Sequence, residues 1–259
     1  MNVSMQGQNK IDFIVNGRQF SFKMTYDTDN ACDNDMLSEF KSLGICEPEV
    51  VCAMERIVRA GDTVIDGGAN IGFFTLYLAQ LVGPDGKVIA IEPGQNNLWK
   101  LEENVRLNKL KNVEIVRKPL WHDHSEVILY MRHEGGRNSL WPDEGYRGNE
   151  KIEACTLADF PVARLIKLDV EGCETAALDG LGSLECPFVI AEMNEAALKY
   201  MGSSQASLRA FADAFLLQKD GNLPMYVPEK TKIVTDRQNV NILLSTLDYV
   251  GEVWKEVRV

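Results

Sequence analysis

Three carboxyl side chains near the ends of two apolar segments are the residues best suited to acid–base chemistry. Asp169 and Glu171 lie two positions apart at the end of residues 165–169, and Glu192 ends residues 188–192. Parallel strands of one sheet end at the same edge, so two such strands would bring these side chains together. A carboxylate at that edge can take a proton from a reacting group, and we predict all three as catalytic residues.

A glycine-rich turn lies earlier in the chain, after the β-branched pair Val64-Ile65. The run Asp66-Gly67-Gly68-Ala69-Asn70-Ile71-Gly72 predicts the end of a strand, a tight turn and the start of a helix. Glu92 and Pro93 follow the next apolar segment, where an acid can accept hydrogen bonds from a ribose. These features predict a cofactor site formed by Asp66, Gly67, Gly68, Ala69, Asn70, Gly72, Glu92 and Pro93.

The turn alone fits two kinds of cofactor, a nicotinamide dinucleotide and S-adenosyl-L-methionine. Asp66 helps to distinguish them, because a carboxylate at the turn would repel a pyrophosphate. S-adenosylmethionine has no phosphate and carries a sulfonium and an ammonium, which favour a nearby acid. The alternative for Asp66 is that it only caps the helix that follows.

Strands and helices alternate through the middle of the chain, which predicts a parallel sheet with right-handed crossovers. Apolar segments predict strands at residues 63–66, 87–92, 113–119, 165–169, 188–192, 232–234 and 239–245. Helical spacing predicts helices at residues 48–59, 71–81, 96–108, 173–178 and 205–217. The last two strands read as a hairpin, so the last strand is predicted to be antiparallel to the others.

The N-terminal region reads differently from the alternating core. Asn16-Gly17 separates two alternating apolar runs, which predicts a β-hairpin over residues 11–24. Residues 25–35 are polar and read as a loop. We therefore predict an α/β chain with a Rossmann-like, doubly wound, mostly parallel seven-stranded sheet. Residues 1–47 would form a hairpin and loop extension, and residues 48–259 the main domain.

The combination of motifs resembles the FkbM family of class I S-adenosylmethionine-dependent methyltransferases. The similarity covers roughly residues 47–195, with matching motifs at residues 64–75, 90–93, 104–108, 166–174 and 187–192. The resemblance implies that Asp66 to Gly72 line the methionine part of the cofactor and that Glu92 holds the ribose. It also implies that Asp169 lies beside the cofactor and that adenine lies near residues 118–121, where Trp121 could stack on it.

Two of the catalytic candidates, Glu171 and Glu192, have a structural alternative. Glu171 and Glu174 could simply favour the first turn of the following helix, and Glu192 could hold a neighbouring loop. The His122-Asp123-His124 segment has a spacing that a metal could use, but we interpret it as a loop and predict no metal site. Arg137-Asn138-Ser139-Leu140 is expected to line or gate the acceptor pocket.

The resemblance implies a methyltransferase, and we expect O-methylation of a hydroxyl on a small molecule or saccharide. The alternatives are an NAD-dependent oxidoreductase and a non-catalytic cofactor-binding protein. The chain has 259 residues, with 38 acidic and 27 basic residues and a net charge of −11, which disfavours a nucleic-acid partner. Six irregularly spaced cysteines, the lack of an apolar leader and the lack of a membrane-spanning run predict a cytoplasmic protein with reduced thiols.

Overall fold

The structure, a computed structural model, describes most of the chain, and all structural statements refer to its described part: residues 6–27, 29–132, 137–142, 145–182, 186–217, 224–227, 239–245 and 247–254. The strands, in chain order, are β1 (Gln6–Val15), β2 (Arg18–Asp27), β3 (Thr63–Gly67), β4 (Lys87–Ile91), β5 (Val113–Val116), β6 (Glu126–Arg132), β7 (Tyr146–Glu153), β8 (Leu165–Leu168), β9 (Phe188–Asn194), β10 (Asp213–Leu216), β11 (Met225–Val227) and β12 (Asn239–Ser245). The helices are α1 (Ala31–Leu43), α2 (Pro48–Ile57), α3 (Phe73–Val82), α4 (Gln95–Leu107), α5 (Glu174–Asp179), α6 (Glu195–Tyr200), α7 (Gln205–Arg209) and α8 (Leu247–Trp254).

The central sheet has the strand order β11-β10-β12-β9-β8-β3-β4-β5. β3, β4, β5, β8 and β9 run parallel to one another, whereas β12 is antiparallel to both of its neighbours, β9 and β10. This confirms the Rossmann-like, mostly parallel sheet with an antiparallel last strand. The described sheet has eight strands: it includes six of the seven predicted strands and two that were not predicted, β10 and the short edge strand β11.

The sequence prediction is wrong for the predicted helix at residues 205–217. Helix α7 ends at Arg209, and residues 213–216 form β10. Ala214 and Phe215 point to opposite faces of the sheet and join different hydrophobic clusters. A strand that is apolar on both faces loses its alternation, and its sequence resembles a buried helix. The predicted strand at residues 232–234 lies outside the described residues.

Two hydrophobic cores cover the two faces of the sheet. Successive residues of one strand enter different cores: Val64 packs on one side of β3 and Ile65 on the other. Phe188 and Val189 do the same in β9. This arrangement holds the carboxyl ends of the parallel strands at one edge of a rigid sheet, where the predicted site residues lie.

The predicted N-terminal hairpin is confirmed, and it packs on the main core. Asn16 and Gly17 have φ angles of 48° and 81°, as a tight hairpin turn requires. The Phe20 and Tyr77 rings lie 4.7 Å apart, and Phe13 contacts both Tyr77 and Phe73 of α3. One hydrophobic core therefore extends across the predicted boundary at residue 47, and the division into 1–47 and 48–259 remains a prediction.

The predicted loop at residues 25–35 is also wrong, because β2 continues to Asp27 and α1 begins at Ala31. The Asn30 side chain accepts hydrogen bonds from the amides of Cys32 and Asp33 and caps α1. Cap residues and an acidic first turn have the composition of a loop, which explains the error.

None of the helices in the described ranges is long and apolar enough to cross a membrane. The cysteines are free, in agreement with the prediction of unpaired thiols. The cytoplasmic location stays a prediction.

Candidate functional site

The glycine-rich turn connects β3 to α3 and is held against the neighbouring strand. The amides of Gly68 and Ala69 donate to the carbonyl oxygen of Ile91 over 2.9 and 3.0 Å. Gly68 has a φ of 78°, and a Cβ there would lie 1.8 Å from the carbonyl oxygen of Asp169. No other residue fits at position 68, so this glycine allows the turn to touch the end of β8.

Asp66 lies beneath the turn and is fully buried. Its Oδ2 accepts a hydrogen bond from the Thr75 hydroxyl of α3 over 2.6 Å, and its Oδ1 has no hydrogen-bond partner. Burial raises the pKa of Asp66, and the nearby Lys167 ammonium opposes that shift. Asp66 therefore contacts a side chain in the first turn of the helix, while one of its oxygens stays free for a further donor.

Glu92 is buried at the end of β4 and holds two loops together. Its Oε2 accepts from the Asn70 amide over 2.9 Å, and its Oε1 accepts from the Gly94 amide over 2.8 Å and from the Asn97 side chain. Burial raises the pKa of Glu92 to about 7, although these hydrogen bonds favour the ionised form. Glu92 thus fixes the turn, and a carboxylate keeps acceptor capacity for a further hydroxyl.

A narrow cleft runs beside Glu92 and Pro93. Its walls combine the turn and the end of β8 with apolar side chains of the β4 and β6 regions: Gly68, Asn70, Ile91, Pro119, Leu120, Leu129, Asn138, Ser139, Leu140 and Asp169 are among the lining residues. The Asn70 and Asn138 side-chain oxygens are buried and have no hydrogen-bond partner. The cleft therefore presents apolar surface together with acceptors that are still unsatisfied.

Trp121 lies away from this cleft. It lines a separate depression with His122, Gly172, Thr175 and other residues of the α5–α7 side, and its ring lies 5.0 Å from that of His122. The residues of segment 118–121 that line the cleft are Pro119 and Leu120. The structure gives no support to adenine stacking on Trp121.

An open cavity of about 520 Å³ adjoins the cleft, and Gly68, Asn70, Asp169 and Glu171 line both. Glu192 also lines the open cavity, so the structure brings together the three predicted catalytic residues. The cavity further receives residues of α1, the segment before α2, and β12. These N-terminal and C-terminal contributions are far from the glycine turn in sequence.

Lys167 is a buried cation among these acids, with a side chain that is 3% exposed. Its Nζ lies 3.1 Å from Asp169 Oδ2. Burial lowers the pKa of Lys167, but Asp169, Asp66 and Glu47 outweigh that effect and raise it overall. Lys167 is therefore charged and compensates part of the negative charge at the end of β8.

Glu171 follows in a left-handed conformation with a φ of 52°. The Trp141 indole N–H donates to its carbonyl oxygen over 2.7 Å, and the Trp141 ring packs on that of Tyr200 at 4.7 Å. Burial and the Asp169 charge raise the pKa of the Glu171 carboxyl to about 7, against Arg137. This backbone is uncommon for a non-glycine residue, and it turns Glu171 toward the cavity.

Of Glu171 and Glu174, it is Glu174 that stabilises the first turn of helix α5. Its Oε1 accepts from the amides of Val170 and Gly172 over 3.0 and 3.2 Å. Glu171 makes no such helix cap and lines the cavity instead. For Glu192, burial and the neighbouring Asp169 and Glu171 charges raise the carboxyl pKa well above its usual value.

Sequence reasoning missed several residues of this region. Glu47 lies at the start of α2 with a φ of 43°, and Asn241 of β12 donates to its carboxylate over 2.9 Å. Lys167 lies within the otherwise apolar strand β8, so the sequence gave no reason to assign it to the site. The segment 137–140 divides between the two spaces, with Arg137 at the open cavity and the next three residues at the cleft. The sequence had predicted a pocket role for this last segment, but it gave no indication of Glu47 or Lys167.

The His-x-His segment is exposed, and His124 Nε2 lies 2.9 Å from Asp159 Oδ1. Among the residues described by the structure, no group of three or more His, Cys, Asp or Glu side chains could hold a metal ion.

Comparison with known proteins identifies the kind of domain. A segment of 70 residues is 37% identical to a tRNA (cytosine(72)-C(5))-methyltransferase of Pyrococcus horikoshii, covering 27% of this chain and 18% of that protein. A segment of 72 residues is 40% identical to an arsenite methyltransferase of Halobacterium salinarum, covering 28% of this chain and 17% of that protein. The chain thus spans less than a fifth of the length of these curated relatives.

Among solved structures, a SAM-dependent O-methyltransferase of Thermotoga maritima aligns with a TM-score of 0.47 and 12% identity, over 91% of this chain and 77% of that one. The model of the methyltransferase FkbM domain matches residues 66–218, more than half of the chain. The chain therefore belongs to the methyltransferase FkbM family.

Proposed function

We propose that this protein transfers a methyl group from S-adenosyl-L-methionine to a hydroxyl oxygen of a small molecule or saccharide. The observation that carries the proposal is the position of Asp169, Glu171 and Glu192 at adjacent strand ends, in an open cavity that adjoins the cleft at the glycine turn. Acids at the end of a parallel sheet, next to the methyl-donor turn, are placed to handle a hydroxyl proton.

The residues of the cleft fit the methyl donor. Buried oxygens of Asn70 and Asn138 lack hydrogen-bond partners and can accept from ribose hydroxyls or an ammonium. Glu92 would hold the ribose, and Leu120, with neighbouring apolar side chains, would contact adenine. When bound, the cofactor supplies a methyl group that its sulfonium has already activated. Asp66 is fully buried and lines neither space, so it would act on the methionine end from beneath the turn, without direct contact.

The protein's own contribution to transfer is mostly to position the acceptor and to take up its proton. Glu171 is the proposed base, because burial and Asp169 raise the pKa of its carboxyl to about 7. A base with a pKa near the working pH is efficient, since it is partly ionised and still basic enough to accept a proton. Lys167 pairs with Asp169 over 3.1 Å at the junction of the cleft and the cavity, and Glu192 forms the opposite acidic wall.

A small acceptor is favoured over a nucleic acid by the charge of the cavity. Phosphate contacts require clustered cations, whereas carboxyl groups predominate on this wall. The relatives named for tRNA or rRNA methylation match only short segments of about a quarter of this chain. The described lining of the cavity therefore does not provide the clustered cations that an RNA acceptor would require.

Calorimetry with S-adenosylhomocysteine and NAD, followed by methyl transfer from radiolabelled S-adenosylmethionine, tests the proposal. We expect binding of S-adenosylhomocysteine but not of NAD, and labelling of hydroxylated small molecules but not of RNA. Binding of NAD alone would support the oxidoreductase alternative. Binding of S-adenosylhomocysteine without transfer to any hydroxyl acceptor would support a non-catalytic role or another acceptor atom.

A further inference from the structure

We infer that the acceptor carries a protonated amine in addition to the hydroxyl group that is methylated, an inference that rests on the proposed function. The amine would lie in the open cavity against the acidic wall formed by Asp35, Glu39, Glu47, Asp169 and Glu171. The chemical class is therefore an amino alcohol or amino sugar, and neither a neutral nor an acidic saccharide.

The charges that line the cavity are unbalanced. Beside the five acids of this wall, the described lining includes two cations, Arg137 and Lys167. Three further acids line the cavity: Asp33, which is already paired with Lys100 over 2.6 Å, and Glu49 and Glu192, which add to the acidic excess. S-adenosylmethionine, with a sulfonium, an ammonium and a carboxylate, adds a single net positive charge. The five acids therefore still exceed the cations after the donor is counted.

Buried acids of one sign are unfavourable unless a cation accompanies them. Burial, together with the Asp169 charge, raises the pKa of both Glu47 and Glu171 to about 7, although Lys167 opposes this for each of them. A bound ammonium would compensate these charges and favour the ionised forms, including that of the proposed base.

Asp33 gives an independent indication of a missing donor at this wall. Its side chain is 1% exposed and lines the cavity. Its Oδ2 contacts Lys100 and the Asp27 amide, whereas its Oδ1 is buried without a hydrogen-bond partner. A buried carboxylate oxygen normally has a donor, and an ammonium or hydroxyl of the acceptor would supply one.

The test is calorimetry on the full-length protein saturated with S-adenosylhomocysteine, with three matched sugars as probes. Glucosamine carries the ammonium, N-acetylglucosamine replaces it with a neutral amide, and glucuronate carries a negative charge. We expect glucosamine to bind at least about tenfold more tightly than the other two. Equal binding, tighter binding of a neutral or anionic sugar, or no binding of glucosamine would overturn the inference.

Two variants and one control locate the effect. Glu47→Gln removes a charge while keeping an acceptor for Asn241, and Asp35→Asn removes a charge from an exposed position at the rim. Each should reduce the preference for glucosamine several-fold, whereas Glu103→Gln, which loses only a surface ion pair with Arg106 on α4, should leave it unchanged. Full preference in both cavity variants would contradict the assigned wall.

The two proposals can fail separately. If S-adenosylhomocysteine does not bind, the proposed function fails. If it binds while the sugars show no charge preference, only the acceptor class fails.

Discussion

The cleft at the glycine turn and the open cavity beside it are built in different ways. The cleft is formed largely by short motifs, the turn after β3 and the Glu92-Pro93 pair after β4, with hydrogen bonds between neighbouring loops. The cavity collects residues from α1, the start of α2, the end of β9 and β12. Local motifs therefore define the proposed donor side, and long-range packing defines the proposed acceptor side.

Breaking the turn should have the largest effect, because it removes the surface that the two regions share. In Gly68→Ala, the new Cβ would overlap the Asp169 carbonyl oxygen, at 1.8 Å, in a left-handed backbone. We expect a loss of about 3 to 5 kcal/mol in the free energy of unfolding and no detectable binding of S-adenosylhomocysteine. Urea unfolding and calorimetry measure both.

Gly61→Ala is the matched control for this prediction. Gly61 has a φ of 89°, but a Cβ added there would have no atom within 4 Å, so only backbone strain remains. A cost of about 1 kcal/mol with normal cofactor binding is expected. Equal effects of the two substitutions would show that contact with β8 is unimportant.

Removing the proposed base should separate chemistry from donor binding. Glu171→Gln should lower kcat by about 100-fold to 10,000-fold and leave the affinity for S-adenosylhomocysteine within a few-fold. In the unsubstituted enzyme, the Glu171 pKa of about 7 predicts that kcat/KM falls as the pH drops below about 7, because the carboxyl becomes protonated. An unchanged kcat in the variant would assign the proton transfer to another group.

Substitution of Glu92 should weaken cofactor binding without a comparable effect on kcat. Glu92→Gln keeps an oxygen acceptor but loses the charge that three N–H donors contact. We expect the Kd of S-adenosylhomocysteine to rise about 10-fold to 100-fold, equivalent to roughly 1.4 to 2.8 kcal/mol. A variant that binds normally but turns over slowly would reverse the assignment of Glu92.

A smaller effect is expected from Trp141, which does not line the cavity but donates a hydrogen bond to the backbone of Glu171. Trp141→Phe removes the 2.7 Å hydrogen bond to the Glu171 carbonyl and retains an aromatic ring for Tyr200. We expect kcat to fall about tenfold or less, with a shifted pH profile and unchanged donor affinity. Tyr200→Phe, which keeps the ring, is the control and should behave like the unsubstituted protein.

The smallest predicted effect is on the pH dependence of stability. Burial raises the pKa of Glu92 and Glu174 to about 7, so between about pH 4.5 and 7 the folded state binds more protons than the unfolded state. The stability associated with these groups is therefore full at low pH and declines as the pH rises through about 7. Thermal unfolding at pH 6 and pH 8 should show the higher Tm at pH 6, and the reverse order would contradict it.

The same contrast explains which parts the sequence could predict. Glycines with positive φ and acids at strand ends leave local patterns, so the turn, Glu92 and Asp169 could be recognised before their positions were known. Glu47 and Asp33 carry no such pattern, because their roles depend on α1 and α2 packing over the strand ends. β10 was mistaken for helix because both of its faces are buried.

Asn104 of α4 and Asn108, the residue that caps the end of this helix, have a consequence for how this chain could be recombined with relatives. Asn104 binds the backbone of Thr25 through both side-chain atoms and also donates to the Ile71 carbonyl, while Asn108 binds both backbone groups of Lys23. These side-chain amides connect the N-terminal hairpin to the glycine-rich turn through hydrogen bonds. A chimaera that exchanges the N-terminal segment to change acceptor preference should therefore exchange α4 and Asn108 together with it. The asparagine amides and the backbone groups that they bind would then come from the same protein.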